Sequence, residues 1–300
     1  MWKVNKLIPF IKIPLAQTRI LWYNSLKRAE SEDLHAGYPD GSFTVPLDFR
    51  LFFRILPPLQ DSREIRFMEM KRVLLKLSGE ALAGEKKTGF DEETVKEVAR
   101  QVKLAVDAGI EVGVVIGGGN FWRGRQSNAI DRTKADQIGM LATVMNCIYV
   151  SEIFRSTGMD TEILTPFAVG AMTKLFSKDR ANKYFKQGKV VFFAGGTGHP
   201  YFSTDTGVAL RAIEMEADCI LLAKAIDGVY DSDPKLNPEA KKYDTISIQE
   251  VIDKQLAVVD LTASIMCMEN HIPMAVFSLN EKDGIANAMQ GKINGTVVTA

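Results

Sequence analysis

Two cations and four glycine-bearing segments are the residues of this chain whose types and spacing could do chemistry. Lys76 stands inside an apolar run, RVLLKL, that opens into SGEALAG, and Arg123 follows the glycines of VGVVIGGGNFWRG at 112–124. GGTGHPYFSTD at 195–205 follows KVVFFA, and KAIDGVYDSDP at 224–234 follows CILLA. Backbone N–H groups in glycine-rich turns and at helix N-termini point at bound oxygens, and a nearby Lys or Arg supplies the matching charge. The chemistry implied is the handling of an anion such as phosphate. A single glycine pair reads as a tight turn, but four polar clusters after four apolar runs read as one convergent site. No GxxxxGK[ST] occurs, which excludes a P-loop, and no GxGxxG follows a strand, which argues against a dinucleotide site. Cys147, Cys219 and Cys267 lie apart in apolar runs, and His35, His199 and His271 lack metal-ligand spacing. No metal site is therefore expected from the side chains alone, and the cysteines read as buried thiols of a reducing cytoplasm.

The elements that must position these residues alternate. Strands are predicted at Arg72–Leu77, Ile110–Ile116, Thr161–Leu164, Lys189–Ala194, Asp218–Ala223 and Pro273–Phe277. Helices are predicted at Asp91–Ala108, where Val95, Val98, Ala99, Val102 and Val106 share a face, and around 134–157, 204–216 and 260–269. Near-continuous apolarity in the strands fits parallel strands covered on both faces. The fold class is α/β, a mainly parallel sheet sandwiched between helices, in which ligands bind beyond the carboxyl ends of strands.

Composition bounds the partners. Lys plus Arg equals Asp plus Glu at 37 each, so no global field recruits nucleic acid or an anionic membrane, and neither is expected as a partner. Residues 1–69 read differently: prolines at 9, 14, 39, 46, 57 and 58 interrupt every apolar run. This segment is expected to be an unassigned, non-native or disordered extension, with 70–300 forming a single domain. With its basic start split by Lys12 and two prolines, this segment is not expected to be a secretory signal, and a weak membrane or partner anchor is the alternative reading.

KLSGEAL at 76–82, GGGNFWRG at 117–124, ADQIGMLATVMN at 135–146, GGTGHPYFSTD at 195–205, DGVYDSDP at 227–234 and VVDLTA at 258–263 resemble bacterial uridylate (UMP) kinases of the amino acid kinase superfamily. The resemblance runs in order from about residue 70 to the C-terminus. It implies ATP-dependent conversion of UMP to UDP on an α/β/α sandwich, with Mg²⁺ arriving on ATP, in a cytoplasmic homohexamer. By the same resemblance, Lys76, Leu77, Ser78, Gly79, Gly119, Arg123, Lys224, Tyr230 and Asp233 would contact ATP. Gly118, Asp136, Thr197, Gly198, His199, Pro200, Tyr201, Phe202, Ser203 and Thr204 would contact UMP. Lys76, Arg123, Asp205 and Asp260 would form the catalytic set, although either aspartate could instead serve only as a helix N-cap.

Two features depart from the family pattern. His199 stands where asparagine is common, which touches the base-selective part of the site. Family members commonly respond to GTP and UTP, but the basic residues of that effector site do not carry over through IYVSEIFRSTGMDTE, so no effector site is assigned. The chemistry agrees with the absence of a catalytic base: a phosphate monoester, with its second pKa near about 6, is already largely an anionic nucleophile at neutral pH. The alternatives are another phosphotransferase of the same scaffold, acting on carbamate, acetylglutamate or aspartate, or a non-catalytic oxyanion or nucleotide binder.

Overall fold

A computed structural model describes residues 70–123, 129–256 and 258–300, and every structural statement below concerns these residues. The expectation about residues 1–69 lies outside them, as does Gly124.

Six strands carry the architecture: β1 (Arg72–Leu77), β2 (Glu111–Ile116), β3 (Thr161–Thr165), β5 (Val190–Phe193), β6 (Cys219–Lys224) and β10 (Met274–Ser278). Short strands β4 (Lys174–Leu175), β9 (Thr245–Ser247) and β11 (Gly295–Thr299) extend them into one sheet of order β4-β3-β5-β2-β1-β6-β10-β11-β9. Neighbours are parallel except β10 and β11. A hairpin of β7 (Val229–Tyr230) and β8 (Lys242–Tyr243) stands apart. The chain leaves β1 for β2 on one side and later places β6 on the other, so a topological switch falls at β1. At such a switch the flanking loops splay apart and leave a crevice.

Eight helices flank the sheet: α1 (Gly79–Leu82), α2 (Glu92–Asp107), α3 (Arg132–Ser156), α4 (Lys178–Lys186), α5 (Thr204–Glu214), α6 (Ile248–Asp253), α7 (Leu261–Glu269) and α8 (Gly284–Met289). Val73, Leu75 and Leu77 of β1 pack with α2, α3 and α8, whereas Leu74 packs with α4, α5 and α7. Side chains alternate along a strand, so Lys76 shares the α5 face with Leu74. Helix ends follow local chemistry. Asp131 accepts from the Lys134 N–H at the start of α3, and Ser203 accepts from the Asp205 and Thr206 N–H groups at the start of α5. α8 has no side-chain cap of its own; Gln101 on α2, 2% exposed, accepts from the Ile285 and Ala286 N–H groups instead.

All six expected strands and four expected helices are present, with ends displaced by one or two residues. Four shorter helices were not foreseen: α1, α4, α6 and α8. In α4 only Ala181 and Phe185 are buried, too few to set a period. α3 is long and apolar enough to cross a membrane by length and composition, but Ala142, Val144, Cys147, Val150 and Phe154 are buried within the domain. Its outer face leaves Ile138, Leu141, Met145 and Ile148 exposed.

Candidate active site

Lys76, one residue before the end of the switch-point strand, meets Asp205 in the first turn of α5, Nζ to Oδ1 2.9 Å. Both side chains are largely buried, with relative exposures of 13% and 21%, so the pair is shielded from bulk screening. Asp205 Oδ1 makes no aligned hydrogen bond, so the contact with Lys76 is one of charge rather than of directed donation. The N-cap reading of Asp205 fails, because Ser203 is the cap of α5. It holds for Asp260, which caps α7 by accepting from the Ala263 N–H at 2.9 Å. Asp260 also accepts from the Ser203 hydroxyl and from Thr206 Oγ1 at 3.0 Å, tying the first turn of α7 to that of α5.

The glycine loop after β2 is built by close approach. A Cβ on Gly79 would lie 2.3 Å from the Gly117 carbonyl oxygen and 2.5 Å from Asn120 Oδ1, so the first turn of α1 rests directly on this loop. Beneath it, Asn120 and Asn146, 2% and 0% exposed, exchange hydrogen bonds at 3.0 and 2.7 Å. Asn146 also donates to the Gly117 carbonyl at 2.7 Å, and Asn120 to the Gly89 carbonyl at 2.8 Å. A buried polar network of this kind rigidifies what it connects when every member is satisfied. Trp122 donates its indole N–H to the Ala135 carbonyl at 2.7 Å, and Phe121 packs edge-on against Phe90, which stacks on Tyr149. Both aromatics thus anchor the loop to its own domain.

Two cavities lie near the Lys76–Asp205 contact: Lys76 lines the larger, and Thr204, next to Asp205 in sequence, lines the smaller. The smaller, about 210 Å³, lies between the glycine loop, α3 and the loop before α5. Gly118, Asp136, Thr197, His199, Phe202, Ser203 and Thr204 line it together, and so do Trp122, Gly139, Met140 and Thr143, which lie in the motifs quoted above but were given no contact of their own. A Cβ on Gly118 would come within 3.0 Å of Ala142 Cβ and the Gly139 carbonyl, so this glycine permits the loop's approach to α3. Thr143 Oγ1 accepts from the Gly195 N–H at 2.8 Å, joining two walls. Asp136 joins them again: Oδ2 accepts from the Tyr201 N–H at 2.8 Å. Tyr201 has φ +72°, a left-handed conformation that costs a bulky residue roughly 1–3 kcal/mol and persists only where its surroundings hold it.

The larger cavity, about 970 Å³, is lined by Lys76, Ser78, Lys224, Tyr230 and Asp233 among others. Lys224 donates to the Val258 carbonyl. Burial pushes its ammonium below the usual lysine pKa, Asp205 partly offsets this, and the Lys76 charge pushes it down again. The β7–β8 hairpin that walls this cavity is fixed from behind by Thr296 of β11, fully buried, which accepts from the Val229 N–H at 2.8 Å and donates to the Tyr243 carbonyl at 2.5 Å.

Other expected residues fall elsewhere. Gly119 lines the smaller cavity beside Gly118 and not the larger one. Leu77 and Gly79 are buried supports, and neither they nor Gly198, Pro200 and Tyr201 line either cavity. Arg123, expected between two phosphates, is exposed and paired with Glu80. A flexible guanidinium finds the nearest carboxylate, which sequence reading does not foresee.

A model of the amino acid kinase family matches residues 71–278. A UMP kinase from Bacillus anthracis is 36% identical with a TM-score of 0.74, the match covering 77% of this chain and 96% of that one. A UMP kinase from Ureaplasma parvum is 33% identical with a TM-score of 0.74, covering 78% and 100%. A uridylate kinase from Archaeoglobus fulgidus is 27% identical with a TM-score of 0.59, covering 76% and 99%. With a sheet that switches direction at β1, glycine loops gathered beyond its carboxyl edge and a family match across most of its length, the chain belongs to the amino acid kinase family.

Proposed function

We propose that this chain transfers the terminal phosphoryl group of ATP to UMP, giving ADP and UDP, as a step of pyrimidine nucleotide biosynthesis in a cytoplasmic homohexamer. The observation that carries the reading is the Lys76–Asp205 contact between two cavities: Lys76 lines the larger, and Asp205 directly follows Thr204, which lines the smaller. Two phosphates entering from opposite sides meet there. UMP occupies the smaller cavity, against Gly118, Asp136 and the 197–204 loop. ATP occupies the larger, against Ser78, Lys224, Tyr230 and Asp233, with Arg123 turning from Glu80 to the phosphates.

The acceptor phosphate needs no general base, so this chain's residues position and neutralise. Lys76 and Lys224 offset repulsion that reaches about 4 kcal/mol per pair of unit charges at 4 Å and an effective dielectric of 20. N–H groups of the glycine loop face the transferred group, whereas those of Asp205 and Thr206 are already taken by Ser203. The donor set fits Mg²⁺ carried in on ATP: Asp205 is a shielded carboxylate at the junction, and among the described residues no group of three His, Cys, Asp or Glu side chains gathers to hold a metal. Bound there by Asp205 and phosphate oxygens, Mg²⁺ would neutralise charge on the transferred group. The exposed apolar stripe of Ile138, Leu141, Met145 and Ile148 on α3 supports a subunit contact.

ADP formation measured with UMP, CMP, carbamate and acetylglutamate as acceptors tests the proposal. Turnover with UMP far above the other three is expected; no ADP above the acceptor-free background with UMP would overturn it.

A further inference from the structure

Arg132, at the start of α3, lines neither cavity, yet it touches both groups that shape the smaller one. Its Nε contacts Asp136 Oδ1 at 3.0 Å and Oδ2 at 2.9 Å. Its guanidinium carbon lies 5.3 Å from the centroid of the Tyr201 ring, within range of a cation–π interaction. Tyr201 in turn donates its N–H to Asp136 Oδ2 at 2.8 Å, while holding a backbone conformation that a bulky residue does not adopt unaided. The three residues therefore close a triangle: arginine to carboxylate, carboxylate to peptide, arginine to ring. Asp136 is the only corner that lines the cavity.

A carboxylate offers about four lone-pair directions. Tyr201 and Arg132 converge on Oδ2, whereas Oδ1 receives only the second, shared approach of Nε. Oδ1 thus keeps capacity for a donor arriving in the cavity, such as a sugar hydroxyl. The side-chain angles of Asp136 are fixed before that donor arrives, because both partners hold the same carboxylate. Binding then avoids the cost of ordering it.

We propose that Arg132 is a positioning residue for acceptor recognition: it holds Asp136 and the Tyr201 peptide in the arrangement that receives the sugar of a ribonucleoside monophosphate. The proposal rests on the reading of the smaller cavity as the UMP site. The donor cavity lies beyond the Lys76–Asp205 contact and does not depend on it.

Calorimetric titration of UMP and of ATP into the wild-type chain, Arg132→Met, Arg132→Lys, Asp136→Asn and the double variant tests this separately from turnover. Removing a charged hydrogen bond of this kind is expected to weaken UMP binding about tenfold in Arg132→Met, the site being partly exposed. ATP binding should stay within about twofold of wild type, and Arg132→Lys should restore part of the UMP affinity. Because Arg132 acts through Asp136, Arg132→Met should add little once Asp136→Asn is present. Equal UMP affinity in Arg132→Met and wild type, parallel loss of ATP binding, or additive losses in the double variant would each overturn the positioning role. A wild-type chain that binds UMP without phosphorylating it overturns the kinase reading and leaves the affinity comparison decisive. A wild-type chain that does not bind UMP overturns both.

Discussion

Asp205→Asn keeps the shape of the side chain at the junction and removes its charge. With Nζ 2.9 Å from Oδ1, the gross attraction lost is about 6 kcal/mol at an effective dielectric of 20. Part of this returns, because an asparagine is less costly to bury than a carboxylate and because water reaches both side chains. Removing one partner of a buried pair costs about 3–5 kcal/mol in general; the partial exposure here places the loss at about 3 kcal/mol. For a domain of this size that lowers the Tm by about 6–12 °C. The same charge balance implies a second effect. In the variant Lys76 and the nearby Lys224 face each other without a carboxylate, so ATP phosphates entering the larger cavity relieve more repulsion than in the wild type. Thermal melts of both proteins in EDTA, with and without ATP, measure this, since chelation leaves the nucleotide as the one added charge. The expected result is a lower Tm without ligand and a larger ATP-induced rise in the variant. An unchanged ligand-free Tm, or an ATP-induced rise no greater than that of the wild type, would refute the argument from charge.

Gly79→Ala brings a Cβ to 2.3 Å from the Gly117 carbonyl oxygen, and because the obstacle is backbone the two loops must part; a loss of about 1–3 kcal/mol in urea unfolding with a steep fall in kcat is expected, and wild-type turnover would remove Gly79 from the site. Lys224 has a folded-state pKa below its unfolded value, so its burial penalty is fully present below the folded pKa and is relieved as pH rises toward the unfolded value of 10.5. Lys224→Met should accordingly flatten the dependence of stability on pH on the alkaline side, measured by denaturant midpoints from neutral pH to about 10. Leu141→Glu, placing a charge on the exposed stripe of α3 where Leu141 is 51% exposed, should dissociate the proposed homohexamer in sedimentation velocity while leaving the circular dichroism spectrum unchanged; an unshifted sedimentation coefficient would move the subunit contact elsewhere.

The sheet was legible in the sequence because its strands are buried on both faces and read as continuous apolar runs such as VGVVI and CILLA. The glycine clusters after those runs lie beyond the strand ends, where they line two cavities rather than one. What escaped were relations between distant side chains. Nothing local in KLSGEAL says that Lys76 meets Asp205, since the pairing depends on α5 packing against the face of β1 that carries Lys76. The reciprocal amides of Asn120 and Asn146 were equally hidden, although a polar residue at the end of an apolar helical run, as in ATVMN, is the kind of signal that could have revealed them. Arg123 is a further case: its place in a motif suggested a role near phosphate, and nothing local said that its side chain would pair with Glu80. The short elements α4 and α6 bury too few residues to register as a period, α8 is less than two turns long and buried nearly all round, and their positions come from packing.

One helix serves several masters. α3 presents Asp136, Gly139 and Thr143 to the smaller cavity, holds the glycine loop from below through Asn146, and turns Ile138, Leu141, Met145 and Ile148 outward. A helix of 25 residues transmits a shift of one face to the other as a rigid rod. In the proposed homohexamer, a neighbour seated on the outward stripe would press α3 against the smaller cavity, and a nucleotide settling there would change how firmly the neighbour is held. The two affinities would then be two readings of a single free energy, equal in size by reciprocity, and ligand binding in that assembly would depend on the protein's dilution.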